Sequence, residues 1–327
     1  MVPGAGFPKC LISSVLDERK VRGMRRLTIA IAGGALLIAS CGGGSNSVAA
    51  TVNGADITLG DVEGLLYQVN EFDRQPEQFA TYLSVLIQWG AINQRAVDEF
   101  GFEPTEDQID LETRELVLGS GFTEIETFLA QQNISQDGLR QLVTQIIIEE
   151  SLHESFVETL DEPTLEDAQR DFDESPAQWT EVCASHILTE TAAEAEAVLE
   201  RLDAGEDFAT IAAEVSIDGS AAVGGDLGCA VASDYVPEFA EATMEAEIGE
   251  VFGPVESDFG YHVILAASRT TTPLEELRQA LLDEAAFDAV NEWLNAAVVG
   301  AEVFVDEKHG SWVTEPQPQV IPPPALG

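Results

Sequence analysis

The sequence is poor in positive charge. Against 59 acidic residues it sets only 15 lysines and arginines, a formal net charge of −44. Six of those 15 (Lys9, Arg19, Lys20, Arg22, Arg25 and Arg26) stand before residue 27, so the remainder is more acidic still. Such a surface repels nucleic acid and anionic lipid headgroups, and no nucleic-acid partner is expected. Histidines and cysteines number four each. Neither Cys-x-x-Cys nor His-Glu-x-x-His occurs, so no metal site and no cofactor is expected. Long apolar runs are also scarce. The one candidate, near the N-terminus, is shorter than the roughly 20 residues of a spanning helix. What remains is ordinary: 327 residues with 45% hydrophobic content suffice for two folded domains.

That apolar candidate has its own meaning. Met24 to Cys41 reads MRRLTIAIAGGALLIASC, a twin-arginine start, an apolar stretch and small residues before a cysteine. This is the pattern of a secretory signal. Its ending, Ile38-Ala39-Ser40-Cys41, resembles the lipobox of bacterial lipoproteins, which implies that Cys41 carries lipid. Residues 1–23 then read as an upstream extension, with Met24 the better start. Residues 1–40 are accordingly expected to be signal and extension, and 41–50 the lipidated cysteine with a flexible Gly/Ser tether. The expected location is extracytoplasmic, lipid-anchored to the outer face of the cell membrane. With Cys10 in the extension and Cys41 lipidated, Cys183 and Cys229 are left, and an oxidising compartment invites one disulfide between them. The alternative is two buried thiols.

From Ala50 the chain shows a short apolar run, a turn at Asn53-Gly54, a second run, and a Thr58 cap opening a helix. Residues 51–176 are then mostly helical in pattern. Phe79, Tyr82, Leu83, Leu86 and Ile87 recur at three- and four-residue spacing. Thr105-x-x-Gln108 and Thr123-x-x-Glu126 read as capping boxes, and Ser135 starts a long helix through Ile146–Ile148. Near Ser175-Pro176 the pattern changes to short strands and short helices. Residues 177–271 are expected to form a compact α+β domain. A helix resumes at Pro273, and residues 272–314 are expected to complete the helical domain, the run after residue 300 pairing with the strand near residue 51. The tail 315–327 is proline-rich and expected to be disordered.

The segment EVCASHILTE raises the question of a cysteine–histidine dyad. Residues three apart on a strand point to opposite faces, so Cys183 and His186 are not a nucleophile and its base. His186 instead shares a face with Ala184 and Leu188, as His262 does with Ile264 and Ala266. A buried, mutually satisfied histidine pair is one reading of these residues, and a site is the other.

Five blocks in order favour the second: ASHILTE, AGEDFATIAAEVSID, GGDLGCAVASDYVPEFAEATM, IGEVFGPVES and FGYHVILAASR. Together they resemble the parvulin-type peptidyl-prolyl cis-trans isomerases. The resemblance implies a four-stranded antiparallel sheet with helices, inserted into a mostly α-helical chaperone domain, for an α+β chain overall. It implies an active site of His186, Asp218 and His262, and a proline pocket of Leu227, Tyr235 and Phe239 with Phe259 at its rim. Tyr235 stands where the family usually has methionine, and CAVASDY replaces a more aromatic run. TETAAEAEA after the first histidine holds no basic residue, which speaks against phosphoserine-proline specificity. Asp218 has two readings, tuning the field at the substrate carbonyl or capping the loop before Gly219-Ser220. The helical flanks are similar to the SurA/PrsA extracytoplasmic foldases. The implied partners are unfolded secreted proteins containing X–Pro bonds, with the membrane reached through the lipid. The rival expectation is a holdase with little isomerase activity; a purely structural or adhesive lipoprotein is a third.

Overall fold

The computed structural model describes residues 47–69, 73 and 75–323. The signal segment, the start at Met24 and the lipidation candidate Cys41 lie outside the described residues. The chain divides into two compact units, one made of residues up to Thr159 together with Ala286 onward, the other of Leu160–Ala285.

The first unit opens with a hairpin, β1 (Val48–Val52) and β2 (Ala55–Thr58). Its turn residues Asn53 and Gly54 both take positive φ, 49° and 84°, the backbone that Asn-Gly accepts at little cost. Thr58 and Asp61 form a reciprocal capping box that starts α1 (Leu59–Gly64). Four longer helices follow: α2 (Pro76–Phe100), α3 (Glu106–Gly119), α4 (Ile125–Gln132) and α5 (Gln136–Thr159). Tyr82, Leu83, Leu86 and Ile87 lie buried on one face of α2, with Phe79 half-buried beside the same core. Thr105 caps α3 in a full box with Gln108, and the Ser135 hydroxyl accepts from Gly138 at 2.8 Å to start α5. The box expected at Thr123 does not form: α4 starts with Glu124 at its N-cap and no side-chain cap.

The second unit begins with α6 (Leu165–Glu174) and carries a four-stranded antiparallel sheet of β3 (Thr180–Thr189), β4 (Asp226–Val231), β5 (Val251–Ser257) and β6 (Gly260–Thr271), in the order β4-β3-β6-β5. Three helices serve it: α7 (Ala192–Asp203), α8 (Phe208–Val215) and α9 (Pro237–Glu245). The pleat sends alternate residues of β3 and β6 to opposite faces. Ile187 and Val263 pack with Ala195, Val198, Ile211 and Ala212 from α7 and α8. Val182, Ala184 and Ile264 pack on the other face with Phe239 from α9.

The chain then runs along α10 (Leu274–Val299) back into the first unit, where Val290, Trp293, Ala297 and Val298 pack on Ile92, Ala96, Ile148 and Leu152. The run after residue 300 forms β7 (Val303–Val305), which pairs with β1 through Ala50–Val305 and Val52–Val303. The tail corrects the expectation of disorder. Residues Gln319–Ile321 form β9, paired with β8 (Ser311–Val313), and Val320 is buried in the core of the helical unit. Proline density hid two local anchors: the Val320 N–H donates to Ser84 Oγ at 2.8 Å, and Gln88 donates to the Pro318 carbonyl at 3.0 Å. Among the described residues no helix is long and apolar enough to cross a membrane.

Candidate active site

The site is built where the two central strands of the inserted unit meet. His186 on β3 and His262 on β6 project to the α9 face of the sheet, and both are buried. Their Nδ1 atoms stand 3.0 Å apart, with the rings close to parallel at 23°. Phe239, reaching in from α9, presents its ring nearly perpendicular to both, at 5.7 Å from His186 and 5.5 Å from His262.

The termini of this pair fix where its protons lie. Asp218 Oδ1 lies 3.0 Å from His186 Nε2, somewhat off the direction in which the ring N–H points. A lone pair facing a carboxylate at that distance would be repelled, so His186 Nε2 carries hydrogen. His186 Nδ1 is then left as the acceptor, and His262 Nδ1–H donates to it. His262 Nε2 in turn accepts from Ser257 Oγ, 2.7 Å away. The chain therefore runs Ser257 to His262 to His186 to Asp218. Burial first, and the repulsion that a second positive ring at His186 would add, push His262 down to about 4, which keeps it neutral at ordinary pH. Hydrogen bonds from Ser220, then His186, hold the Asp218 carboxyl well below the usual carboxylate range. Asp218 Oδ1 accepts from the Ser220 N–H at 2.8 Å, capping the turn Gly219–Val223, and the same oxygen faces His186.

The glycine pair of GGDLG positions this arrangement from behind. The Gly225 carbonyl accepts from the His186 N–H at 2.8 Å. A Cβ on Gly225 would come 2.3 Å from the His186 carbonyl oxygen, and its φ of +81° disfavours any other residue.

Of the expected pocket residues, Leu227, Tyr235 and Phe239 fall in one apolar cluster, with the Tyr235 and Phe239 rings 4.8 Å apart. Phe259 stands outside that cluster, 65% exposed, its N–H donating to Ser257 Oγ at 3.1 Å. Cys183 and Cys229 are disulfide-bonded, directly opposite one another on β3 and β4. With Glu181 they also form a three-donor group of the kind that can hold a metal, but the bonded sulfurs are withdrawn from that use. Sequence reasoning missed Ser257. Its place at the β5–β6 turn marks it as a turn residue, whereas its contact with His262 depends on the hairpin register pairing Ser257 with Gly260.

Residues 184–268 match the rotamase family model, the PPIC-type PPIase domain. The foldase protein PrsA of Halalkalibacterium halodurans is 40% identical over 193 residues, covering 59% of this chain and 55% of that protein. PrsA of Clostridium botulinum strain Loch Maree is 34% identical over 194 residues, covering 54% of this chain and 57% of that protein. The chain thus spans a little over half the length of these curated relatives. Among solved structures, Pin from the psychrophilic archaeon Cenarcheaum symbiosum is 45% identical and covers 28% of this chain and 94% of that one, with a TM-score of 0.25. The inserted unit carries a parvulin-type, PPIC-type PPIase domain, within a chain similar to the PrsA foldases.

Proposed function

We propose that the chain is an extracytoplasmic foldase that isomerises X–Pro bonds in unfolded secreted proteins, tethered to the outer face of the cell membrane through Cys41. The observation that carries the reading is the buried His186–His262 pair set against Phe239 inside a segment matched by the PPIase family model. The X–Pro bond is planar through amide resonance, with a barrier of about 18–20 kcal/mol. At a right angle the resonance is lost, and the carbonyl oxygen carries less negative charge than in the planar state. An apolar wall of Leu227, Tyr235 and Phe239 that strips water from this carbonyl disfavours the planar amide more than the twisted one. Holding the proline ring on that wall leaves the preceding carbonyl to rotate. No covalent intermediate is required, and lowering the barrier by about 4 kcal/mol gives roughly a thousandfold acceleration. The hydrogen-bonded histidine chain organises the floor, and Asp218 adds a fixed negative charge beside it.

The test is proline-peptide exchange, followed by NMR, on the full chain and on Phe239→Ala. Acceleration by the wild type that is lost in the variant supports the reading. A wild type that leaves the exchange rate unchanged while suppressing aggregation of an unfolded secreted protein replaces it with the holdase. The observation on the side of the holdase is that Phe239 is only 2% exposed, a wall already largely covered by the protein's own side chains.

A further inference from the structure

Asp218 has one oxygen committed and one left over. The Ser220 N–H and hydroxyl both donate to Oδ1, and Oδ1 is also the atom that faces His186. None of these contacts falls on Oδ2. The side chain is 34% exposed, so a bound peptide can reach it. Hydrogen bonds from Ser220, then His186, keep the carboxyl ionised. A fixed, ionised and reachable carboxylate at the edge of the histidine floor is a partner for positive charge on a substrate.

The inserted unit supplies no such charge of its own. Between Ala184 and Ser268 the one lysine or arginine is Arg201, and Glu206 and Glu214 hold its guanidinium at 2.8 and 2.7 Å. Arg269, just beyond, donates to the Ala246 carbonyl. The other charges near the site have the sign of Asp218. Glu238 lies within electrostatic reach of His262, and Asp226 and Asp234 within that of Tyr235. An acidic side chain brought beside this floor is repelled, and a basic one is attracted.

The surface beside Asp218 also fits a long stem. Ile217 and Val223, at the two ends of the capped turn, are exposed apolar residues. Neither is loose. The Ile217 N–H donates to the Leu188 carbonyl at 2.9 Å, and the Gly224 N–H behind Val223 donates to the Ala221 carbonyl at 3.1 Å. Lysine and arginine lay their methylenes along surface of this kind while the charged head meets water or an anion.

We propose that Asp218 is a specificity-determining residue that selects lysine or arginine immediately before the substrate proline, with Ile217 and Val223 against the stem of that side chain. The inference rests on the isomerase reading above, in which the proline ring lies on the Phe239 wall. Phe239 and Asp218 both adjoin His186, so the residue joined to that proline is within a long side chain's span of the carboxylate. A flexible stem follows the rotating bond, and the pairing is made in planar and twisted states alike. It therefore raises affinity and leaves the turnover of bound peptide alone.

Three acetylated tetrapeptide amides test this on the full chain, differing only in the residue before proline: lysine, norleucine or glutamate. NMR titration gives each Kd, and exchange spectroscopy gives each catalysed rate at saturation. Lysine is expected to bind about threefold tighter than norleucine and about tenfold tighter than glutamate, with saturated rates within about twofold. Equal Kd values for lysine and norleucine overturn the proposal while isomerisation of all three peptides leaves the isomerase reading standing. Wild-type protein that isomerises none of them removes that reading, and this proposal with it. Asp218→Asn keeps an oxygen to cap Ser220 and loses the charge, so lysine and norleucine are expected to bind it within about 1.5-fold of each other. A lysine preference that survives in this variant belongs to the net charge of the chain and overturns the role given to Asp218. Without any variant, about 1 M salt is expected to shrink the wild-type preference for lysine over norleucine to below about 1.5-fold. A preference that salt leaves intact is not electrostatic, and overturns the proposal as well.

Discussion

The inserted unit buries an imidazole between its central strands, and the helical unit half-buries a carboxyl along α5. In the first, loss of water drives His262 down to about 4. In the second, loss of water and then the neighbouring charge of Glu150 drive Glu149 up to about 7. The physics is the same, since burial disfavours whichever form is charged, and both groups shift toward their neutral form. The teaching lies in what accompanies each. His262 has hydrogen-bonding neighbours on both ring nitrogens, His186 and Ser257, so its neutral form is organised. Glu149 sits one residue from another carboxylate on a helix, and its shift has no second ring or hydroxyl among its causes. Perturbation with organisation marks a site; perturbation without it marks an acidic helix packed too closely to hold every charge.

The largest expected effect separates the units by covalent constraint. Cys183–Cys229 closes 46 residues of sequence within the inserted unit, and among the described residues the helical unit has no disulfide. In the chain-entropy model such a loop contributes about 4 kcal/mol. Reduction, or Cys183→Ser with Cys229→Ser, is expected to weaken amide protection across β3, β4 and β6 by that order while leaving α2 and α5 unchanged. Native-state hydrogen exchange reads both units at once. Equal loss in both means that they unfold together, and the division fails. Second in size is Phe239→Ala. Removing this buried ring costs about 3–4 kcal/mol by the usual range for large-to-small core changes. It is expected to abolish isomerisation as well, because the ring faces both histidines. Leu83→Ala, equally buried in α2, is expected to cost about 3 kcal/mol in the helical unit with prolyl exchange intact.

Titration gives the sharpest form of the comparison. Between pH 4 and 6.5 the unfolded chain holds more proton at His262 than the folded chain does, so stability of the inserted unit rises with pH across that window. Between pH 4.5 and 7 the folded chain holds more proton at Glu149, so stability of the helical unit falls as pH rises. Shifts of this size each amount to about 3 kcal/mol at most. Exchange protection measured at pH 4.5, 5.5 and 6.5 should climb for β3 and β6 and decline for α5. Glu149→Gln should flatten the second trend and leave the first. Parallel trends in the two units sink the assignment.

How much of this was legible in the sequence follows from how local each signal is. The histidine pair was legible because strand alternation fixes which residues share a face, and EVCASHILTE and YHVILAAS are strand-like on their own. The β1–β7 pairing was legible because two short alternating runs at the ends of one helical region have few other partners. Ser257 was not, since its role depends on hairpin register across a turn. Neither was the ordered tail, where two hydrogen bonds to α2, more than 200 residues away in sequence, outweigh proline composition. Asp218 was half legible: Asp-Gly-Ser reads as a capped turn, but the approach of His186 to the same oxygen requires the fold.

The smallest prediction tests the same lesson at a helix end. Thr123-x-x-Glu126 in the helical unit and Thr191-x-x-Glu194 in the inserted unit read alike as capping boxes. In the structure only the second is formed, with the Glu194 N–H donating to Thr191 Oγ at 3.3 Å and the Thr191 N–H donating to Glu194 at 3.0 Å. At the first, α4 begins with Glu124 at the cap and no side-chain bond, so the spacing is satisfied in sequence but occupied one residue out of phase. Thr191→Ala is therefore expected to cost about 1 kcal/mol, the ordinary value of a lost N-cap. Thr123→Ala is expected to cost less than about 0.5 kcal/mol, as for a surface change away from any such feature. Urea denaturation of the two variants with unchanged m-values decides the matter. A Thr123→Ala midpoint shift as large as that of Thr191→Ala means that the first box exists in solution, and α4 then starts where the sequence alone places it.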